Sequence, residues 1–216
     1  MGKDTFQNLP ADRRRAFTKV ALEEFAQHRY NDASVSHIVR RLGMAKGSFY
    51  QYFADKKALY FYLKEQAEAK KKEYLQRAIE QPYADFWELY RQLYIEGIQF
   101  EFNHPQHAAL LYNFSQEKAL PETTEMLKTQ FEGGIIFFRD IFIREQAAGR
   151  LSRQTDPALM AYVVMQIGQG MGDWLAWKHN TVLKPEPNQT SAKPARDELL
   201  RLVDEVIQLL KSGMQP

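Results

Sequence analysis

The sequence contains no cysteine, which removes disulfides, thiolate nucleophiles and cysteine-ligated zinc and suits a reducing compartment. It also lacks any run of about 18–20 apolar residues that could span a bilayer. The first residues, Met1-Gly2-Lys3-Asp4-Thr5-Phe6, are polar and run into charge, so no secretory leader is expected. Position 6 holds no Ser or Thr, which a myristoylation motif would need. These absences lead us to expect a cytoplasmic protein. Strand signals are nearly missing too. There is no Asn-Gly or Asp-Gly pair and no sustained period-two alternation bounded by turns.

What is present is an ordinary globular composition of 216 residues, 44% hydrophobic and 26% charged, enough for a core and one or two domains. The formal charge is only +2, but it is unevenly spread. Residues 1–57 hold 11 Lys and Arg against 6 Asp and Glu, and the remainder is slightly acidic. A basic front on an acidic body fits a phosphate-binding module joined to a second domain; a solvated basic face gives the same count.

Helical spacing recurs along most of the chain. Phe17, Val20, Ala21, Phe25 and Ala26 form one stripe on a helix that starts near Pro10. After a break at 29–32, Ser34 caps a short helix bearing Val35, Ile38, Val39 and Leu42, and Gly43 ends it. A second short helix covers about Ala45–Phe53, and Asp55 caps a long one that runs to Glu80. Further helices are expected over 83–103, 105–115, 121–148, 156–179 and 195–212. Asp156-Pro157 is a start signal, and the proline-bearing stretch Asn180–Pro194 reads as a loop. Gly133-Gly134 inside a helix costs about 2 kcal/mol relative to alanines, which points to a kink or to two helices in place of one.

Ser34–Leu42 and Ala45–Phe53, joined across Gly43-Met44 and preceded by a longer helix, make a helix-turn-helix. The second helix opens with Ala45-Lys46-Gly47-Ser48, small and basic. Such a start lets the backbone approach a groove, with Lys46 and Ser48 in reach of base edges or phosphates. Phe49 and Phe53 pin the helix to its neighbours. Tyr50 and Tyr52 fall off that stripe, where their hydroxyls can meet phosphate oxygens or their rings can simply pack, and Lys56 adds a charge beside the same edge.

The run from Ala33 to Leu59 resembles the DNA-binding signature of the TetR family of transcriptional regulators. The most specific string is Lys46-Gly47-Ser48-Phe49-Tyr50-Gln51-Tyr52-Phe53, followed by Ala54-Asp55-Lys56, and the resemblance covers about residues 12–60. It implies an all-α homodimer of about nine helices, with a helix-turn-helix domain at 1–57 and a helical ligand-binding and dimerisation domain at 58–216. It further implies a repressor whose recognition helix reads a palindromic double-stranded operator, released by a small hydrophobic or amphipathic effector. No cofactor is implied, and no catalytic constellation can be nominated. Position by position, the resemblance assigns groove contact to Lys46, Gly47 and Ser48, and phosphate contact to Tyr50, Tyr52 and Lys56. Further contacts fall to Ser34, Ser36 and His37. Two residues depart from the pattern. Arg29 stands where glycine is usual, so that turn is expected to be strained or reshaped, and Ala45 replaces a Ser or Thr cap at a cost of about 1 kcal/mol unless offset elsewhere.

In the second domain, residues 83–142 hold 13 of the 28 aromatic residues. This is an ordinary aromatic core or, with the resemblance, the lining of an effector pocket. The pocket candidates are Phe86, Trp87, Tyr90, Tyr94, Tyr112, Phe114 and Phe138. The last two helices are amphipathic, and in the resembled family they pair with their twofold mates. That nominates Ile167, Gly168, Met171, Gly172, Leu175, Leu202, Val206 and Leu209 for a dimer interface, against the alternative that they only cover their own core. A protein partner in place of a metabolite is the alternative for the domain as a whole. Gly168-Gln169-Gly170-Met171-Gly172 follows no strand and is not a nucleotide loop, and His104-Pro105-Gln106-His107 lacks the carboxylates of a metal site.

Overall fold

The computed structural model describes residues 2–178 and 196–214, with side chains except at 2–4, 172, 173, 175 and 176. The expected loop Asn180–Pro194 and the packing of Gly172 and Leu175 lie outside the described residues. Among the described residues there are ten helices and no strand. They are α1 (Gly2–Gln7), α2 (Ala11–Gln27), α3 (Val35–Arg41), α4 (Lys46–Tyr52), α5 (Lys56–Glu80), α6 (Phe86–Asn103), α7 (Pro105–Ser115), α8 (Pro121–Ala147), α9 (Pro157–Lys178) and α10 (Arg196–Met214). All but α1 have an expected counterpart with bounds within a few residues. Six residues with a single large apolar side chain, Phe6, are too few to show a period.

The helix ends follow from the residues at them. Ser34 Oγ accepts from His37 N at 3.2 Å, Asp55 Oδ1 from Ala58 N at 2.7 Å, and Asp156 Oδ1 from Ala158 N at 2.8 Å. Gly43, at φ 63°, turns the chain so that Met44 N reaches Val39 O at 2.9 Å and its own N reaches Arg40 O at 3.1 Å. This pair of bonds caps the carbonyls that end α3. Of the two expectations at Gly133-Gly134, the split into two helices is not found: α8 runs unbroken through both. A Cβ on Gly134 would stand 2.5 Å from Cε and 2.7 Å from Sδ of Met165, so the missing side chain serves close approach of α9.

Packing divides the chain into two compact units. The first comprises the described chain up to Lys72 with Glu101–Thr123, and the second comprises Glu73–Phe100 and the described residues after Thr123. The first unit therefore reaches past residue 57, taking in most of α5 and all of α7, and both α5 and α6 continue from one unit into the other. Within it, α2 packs along α7. Asn113 of α7 is buried at 3% exposure, and its Nδ2 donates to Phe25 O at 2.9 Å and Ala26 O at 3.1 Å, with His28 O at 3.5 Å. These carbonyls sit at the end of α2, where a helix leaves its acceptors without internal partners.

The core of the second unit joins Phe86, Trp87 and Tyr90 of α6, Ile141 and Phe142 of α8, Met160 and Val164 of α9, and Val203, Ile207 and Leu210 of α10. Arg91 fastens α6 to α10 through two bonds to Asp204, at 2.6 and 3.2 Å. Asn113→Ala strands the buried carbonyls of α2 without a donor. It is expected to lower the unfolding free energy by about 1–3 kcal/mol in urea denaturation. A change within error of zero would show that another donor serves them.

Candidate nucleic-acid interface

At seven residues, α4 is too short to hold a helical shape alone, so packing must seat it. Phe49 and Phe53 supply the seat, at 0% and 2% exposure. The Phe53 ring stacks on Phe17 of α2 with centroids 5.8 Å apart and lies 5.0 Å from Phe6 of α1 and 5.5 Å from Tyr62 of α5. With that face pinned, the other is uncovered. Lys46 and Gly47 are exposed, Ser48 is half-buried, and Tyr50 is 56% exposed. Tyr52 differs from Tyr50: it is half-buried, with its ring edge-on to Phe6 at 5.9 Å and Phe17 at 6.2 Å. Ala45, as the N-cap, makes no side-chain hydrogen bond, as its methyl group dictates.

A buried carboxylate orients α3, which packs on α4. Glu24 of α2, 2% exposed, accepts from Ser34 N at 2.9 Å through Oε1 and pairs Oε2 with His37 Nδ1 at 2.6 Å. His37 is thus tied inward by one ring nitrogen while the side chain keeps 39% exposure. Ser34 Oγ is occupied as a cap, and Ser36 is exposed. Glu24 is inconspicuous in the sequence. Its one signal is a carboxylate placed three residues after Ala21 on the buried stripe of α2.

Lys56 does not offer a free charge. Its ammonium donates to Tyr30 O at 2.6 Å, Ala33 O at 3.0 Å and Asn31 O at 3.3 Å, and it lies 4.6 Å from the Tyr30 ring centroid. An ammonium has three N–H donors, and here each has a carbonyl. As placed, Lys56 clamps the turn after α2. The same turn holds Arg29, whose carbonyl accepts from Asp32 N and Ala33 N at 3.0 Å each.

The candidates in the second unit divide. Phe86, Trp87 and Phe142 are closely packed, with Phe86 4.4 Å from Phe142 and 5.0 Å from Trp87 between centroids, and Phe138 stands 5.9 Å from Phe86. Tyr90 Oη donates to Val164 O at 2.9 Å and lies 3.1 Å from Tyr94 Oη, and burial pushes both phenols above their ordinary pKa. Gly168 faces the Tyr94 hydroxyl, which a Cβ would strike, and Met171 is buried in the same core. Ile167, Leu202 and Val206 pack half-buried against that core, while Leu209 is 73% exposed. Tyr112 and Phe114 are elsewhere, on α7 in the first unit. There the Phe114 ring meets Tyr60 at 5.7 Å and Phe61 at 6.1 Å, under the ammonium of Lys64 at 5.0 Å. Among the described residues no helix is long and apolar enough to cross a membrane, and no group of three or more His, Asp or Glu is placed to hold a metal ion. Lys56→Met is expected to destabilise the fold by about 1–3 kcal/mol while leaving the salt dependence of DNA binding unchanged. A phosphate contact would instead make the slope of log K against log salt shallower by about 0.9.

Residues 17–63 match the family described as bacterial regulatory proteins, tetR family. No curated protein matches the chain. Among solved structures, a TetR family transcriptional regulator from Chloroflexus aurantiacus J-10-FL is 29% identical with a TM-score of 0.77, covering 100% of this chain and 99% of that one. A TetR-like transcriptional regulator from Rhodococcus sp. RHA1 is 17% identical with a TM-score of 0.68, over 95% of this chain and 100% of its own. The transcriptional regulator FadR from Bacillus subtilis, solved in complex with stearoyl-CoA, is 17% identical with a TM-score of 0.65, over 92% and 98%. These last two share the fold. With the motif matched over residues 17–63 and the all-helical architecture shared end to end, the chain is similar to TetR family transcriptional regulators and carries that family's DNA-binding helix-turn-helix motif ahead of its larger helical part.

Proposed function

We propose that the protein is a repressor that binds a palindromic operator as a homodimer and is released by a hydrophobic or amphipathic small molecule. One observation carries this reading: on seven-residue α4, Phe49 is fully buried and its neighbour Tyr50 is 56% exposed. A helix that short, keyed on one side and bare along Lys46, Gly47 and Tyr50 on the other, is suited to insertion in a groove. Lys46, Gly47 and Ser48 would meet base edges and phosphates, while Tyr50 and Ser36 would meet phosphate oxygens. Tyr52, Ser34 and His37 contribute from the rim, where packing or a cap already holds them.

Support for the homodimer comes from the last two helices. Leu159, Tyr162, Trp174 and Trp177 of α9 and Leu209 of α10 are half of the ten exposed large apolar side chains among the described residues. On α9 they recur at helical spacing, on a different side from the buried Met160, Val164 and Met171. Apolar surface gathered in this way is what an isologous contact covers. The interface we infer uses this outward face, Leu209 included, and leaves Gly168 to the interior.

For the effector we infer a site bordered by Tyr90, Tyr94 and Phe138, where two phenol oxygens lie among aromatic rings. That mixture suits an amphipathic molecule, and the fold relative FadR was solved with stearoyl-CoA. Coupling of about 1–3 kcal/mol between effector and DNA is typical. Half-sites spaced about 34–36 Å apart tolerate little change in the separation of two recognition helices. α6, which carries Tyr90 and Tyr94, runs on into the first unit, where α7 and Asn113 follow it.

Footprinting is expected to reveal a protected palindrome, with affinity that falls steeply as salt rises. Sequence-independent binding without a protected palindrome refutes the reading. Lys46→Ala and Tyr50→Phe should each weaken operator binding by about 1 kcal/mol or more, with the dimer intact by sedimentation. Dissociation of the dimer in step with lost DNA binding would assign those side chains to the fold instead.

A further inference from the structure

The family motif begins at Phe17, yet the folded head begins earlier. α1 lies upstream of the matched residues and packs on α4. Its Phe6 has no exposed surface. The Phe6 ring lies 5.0 Å from Phe53, 5.2 Å from Phe17, 5.4 Å from Tyr62 and 5.9 Å from Tyr52, centroid to centroid. Arg14, in the first turn of α2, fastens the end of α1 by donating from Nη1 to Gln7 O at 2.5 Å. Leu9 N returns to Phe6 O at 3.2 Å, which closes the turn between the two helices.

We propose that α1 is part of the DNA-reading head and that Phe6 is a positioning residue that sets the tilt of α4 and the seat of Tyr52. The proposal rests on the operator-binding reading above. Phe6 shares with Phe17 of α2 contact with both Tyr52 and Phe53, at the C-terminal end of α4, and of the two it alone lies upstream of the matched residues. The opposite end of α4 has no side-chain cap to hold it. Removing the Phe6 ring opens a void beside Phe53, and a seven-residue helix can shift into such a void.

The two kinds of DNA binding respond differently to a shift. Hydrogen bonds to base edges weaken steeply with misalignment. Attraction to phosphates is long-range and indifferent to small rotations. Loss of Phe6 therefore affects discrimination before it affects attachment. A role in stability alone would lower both affinities together as the head unfolds.

The test uses the full-length protein and two duplexes: one selected by the unmodified protein from a randomised pool, and one scrambled from it. Phe6→Ala is expected to weaken binding to the selected duplex by about tenfold or more and to leave the scrambled duplex within about twofold, at a temperature well below melting. Phe6→Leu, which refills much of the space, is expected to recover most of the loss, leaving about a threefold deficit. Full discrimination in Phe6→Ala, or a parallel fall on both duplexes, overturns the proposal. Should Phe6→Ala fail to fold, Phe6→Leu decides in the same way: unchanged discrimination in the folded variant overturns the idea. If the unmodified protein enriches no sequence, the operator reading fails and takes this one with it. Enrichment together with an indifferent Phe6→Ala defeats this inference alone.

Discussion

Ring packing around Phe53 is the constraint under which the head works, because α4 has seven residues and no side-chain cap. Four aromatic partners surround that ring, from α1, α2, α4 and α5: Phe6, Phe17, Phe49 and Tyr62. Pairs of this kind add about 0.5–1.5 kcal/mol each beyond the area they bury. They also have preferred relative orientations, so the cluster constrains direction as well as attachment. The outward set of Lys46, Gly47 and Tyr50 owes its exposure to the inward set. Uncovering one face of a short helix is possible only when the other is held by groups too large and too buried to slide.

Polar groups complete the head at places where helices leave backbone atoms unpaired. Glu24 receives the amide of Ser34 before α3, Lys56 holds three carbonyls in the turn after α2, and Asn113 takes the last carbonyls of α2 itself. The ends of α2 and α3 are thereby set by side chains from three different helices. Asn113 bonds to Phe25 across 88 positions of sequence, which makes α7 part of the head by hydrogen bonding as well as by packing. Any motion of α7 bears on the first helix of the DNA-binding motif through those bonds.

In the second unit the aromatic-rich stretch serves first as a core. Phe86 and Phe142 touch at 4.4 Å between centroids, a spacing that leaves no room for a guest. The polar exception is the Tyr90–Tyr94 pair, where one hydroxyl is anchored on Val164 O and the other lies against Gly168. α10 follows the same economy of faces. Val203, Ile207 and Leu210 cover the unit's own core, and Leu209, one residue from Leu210, faces away from it. The reading of these helices as a cover and their reading as a contact surface are therefore compatible, on opposite sides.

Features that depend on residues within a few positions were readable directly. The caps at Ser34, Asp55 and Asp156, the glycine stop at Gly43 and the apolar stripes of α2 and α10 all follow from i to i+3 or i+4 geometry. The string from Lys46 to Phe53 likewise carries its own identity. Charge and residue type alone did not reveal that Lys56 is enclosed by carbonyls, that Gly168 and Gly134 are glycine for close approach, or that Phe6 completes the aromatic cluster. Nor did they separate Phe114 from the tyrosine pair. Those outcomes depend on which remote groups arrive within a few ångströms. The amino-acid order by itself determined the helices after α1, most of their ends and the likeness of the short second helix to a DNA-reading one. Only the tertiary structure decided which side chain of each kind is enclosed and which is left outside, because burial belongs to the assembled surfaces and to no residue alone.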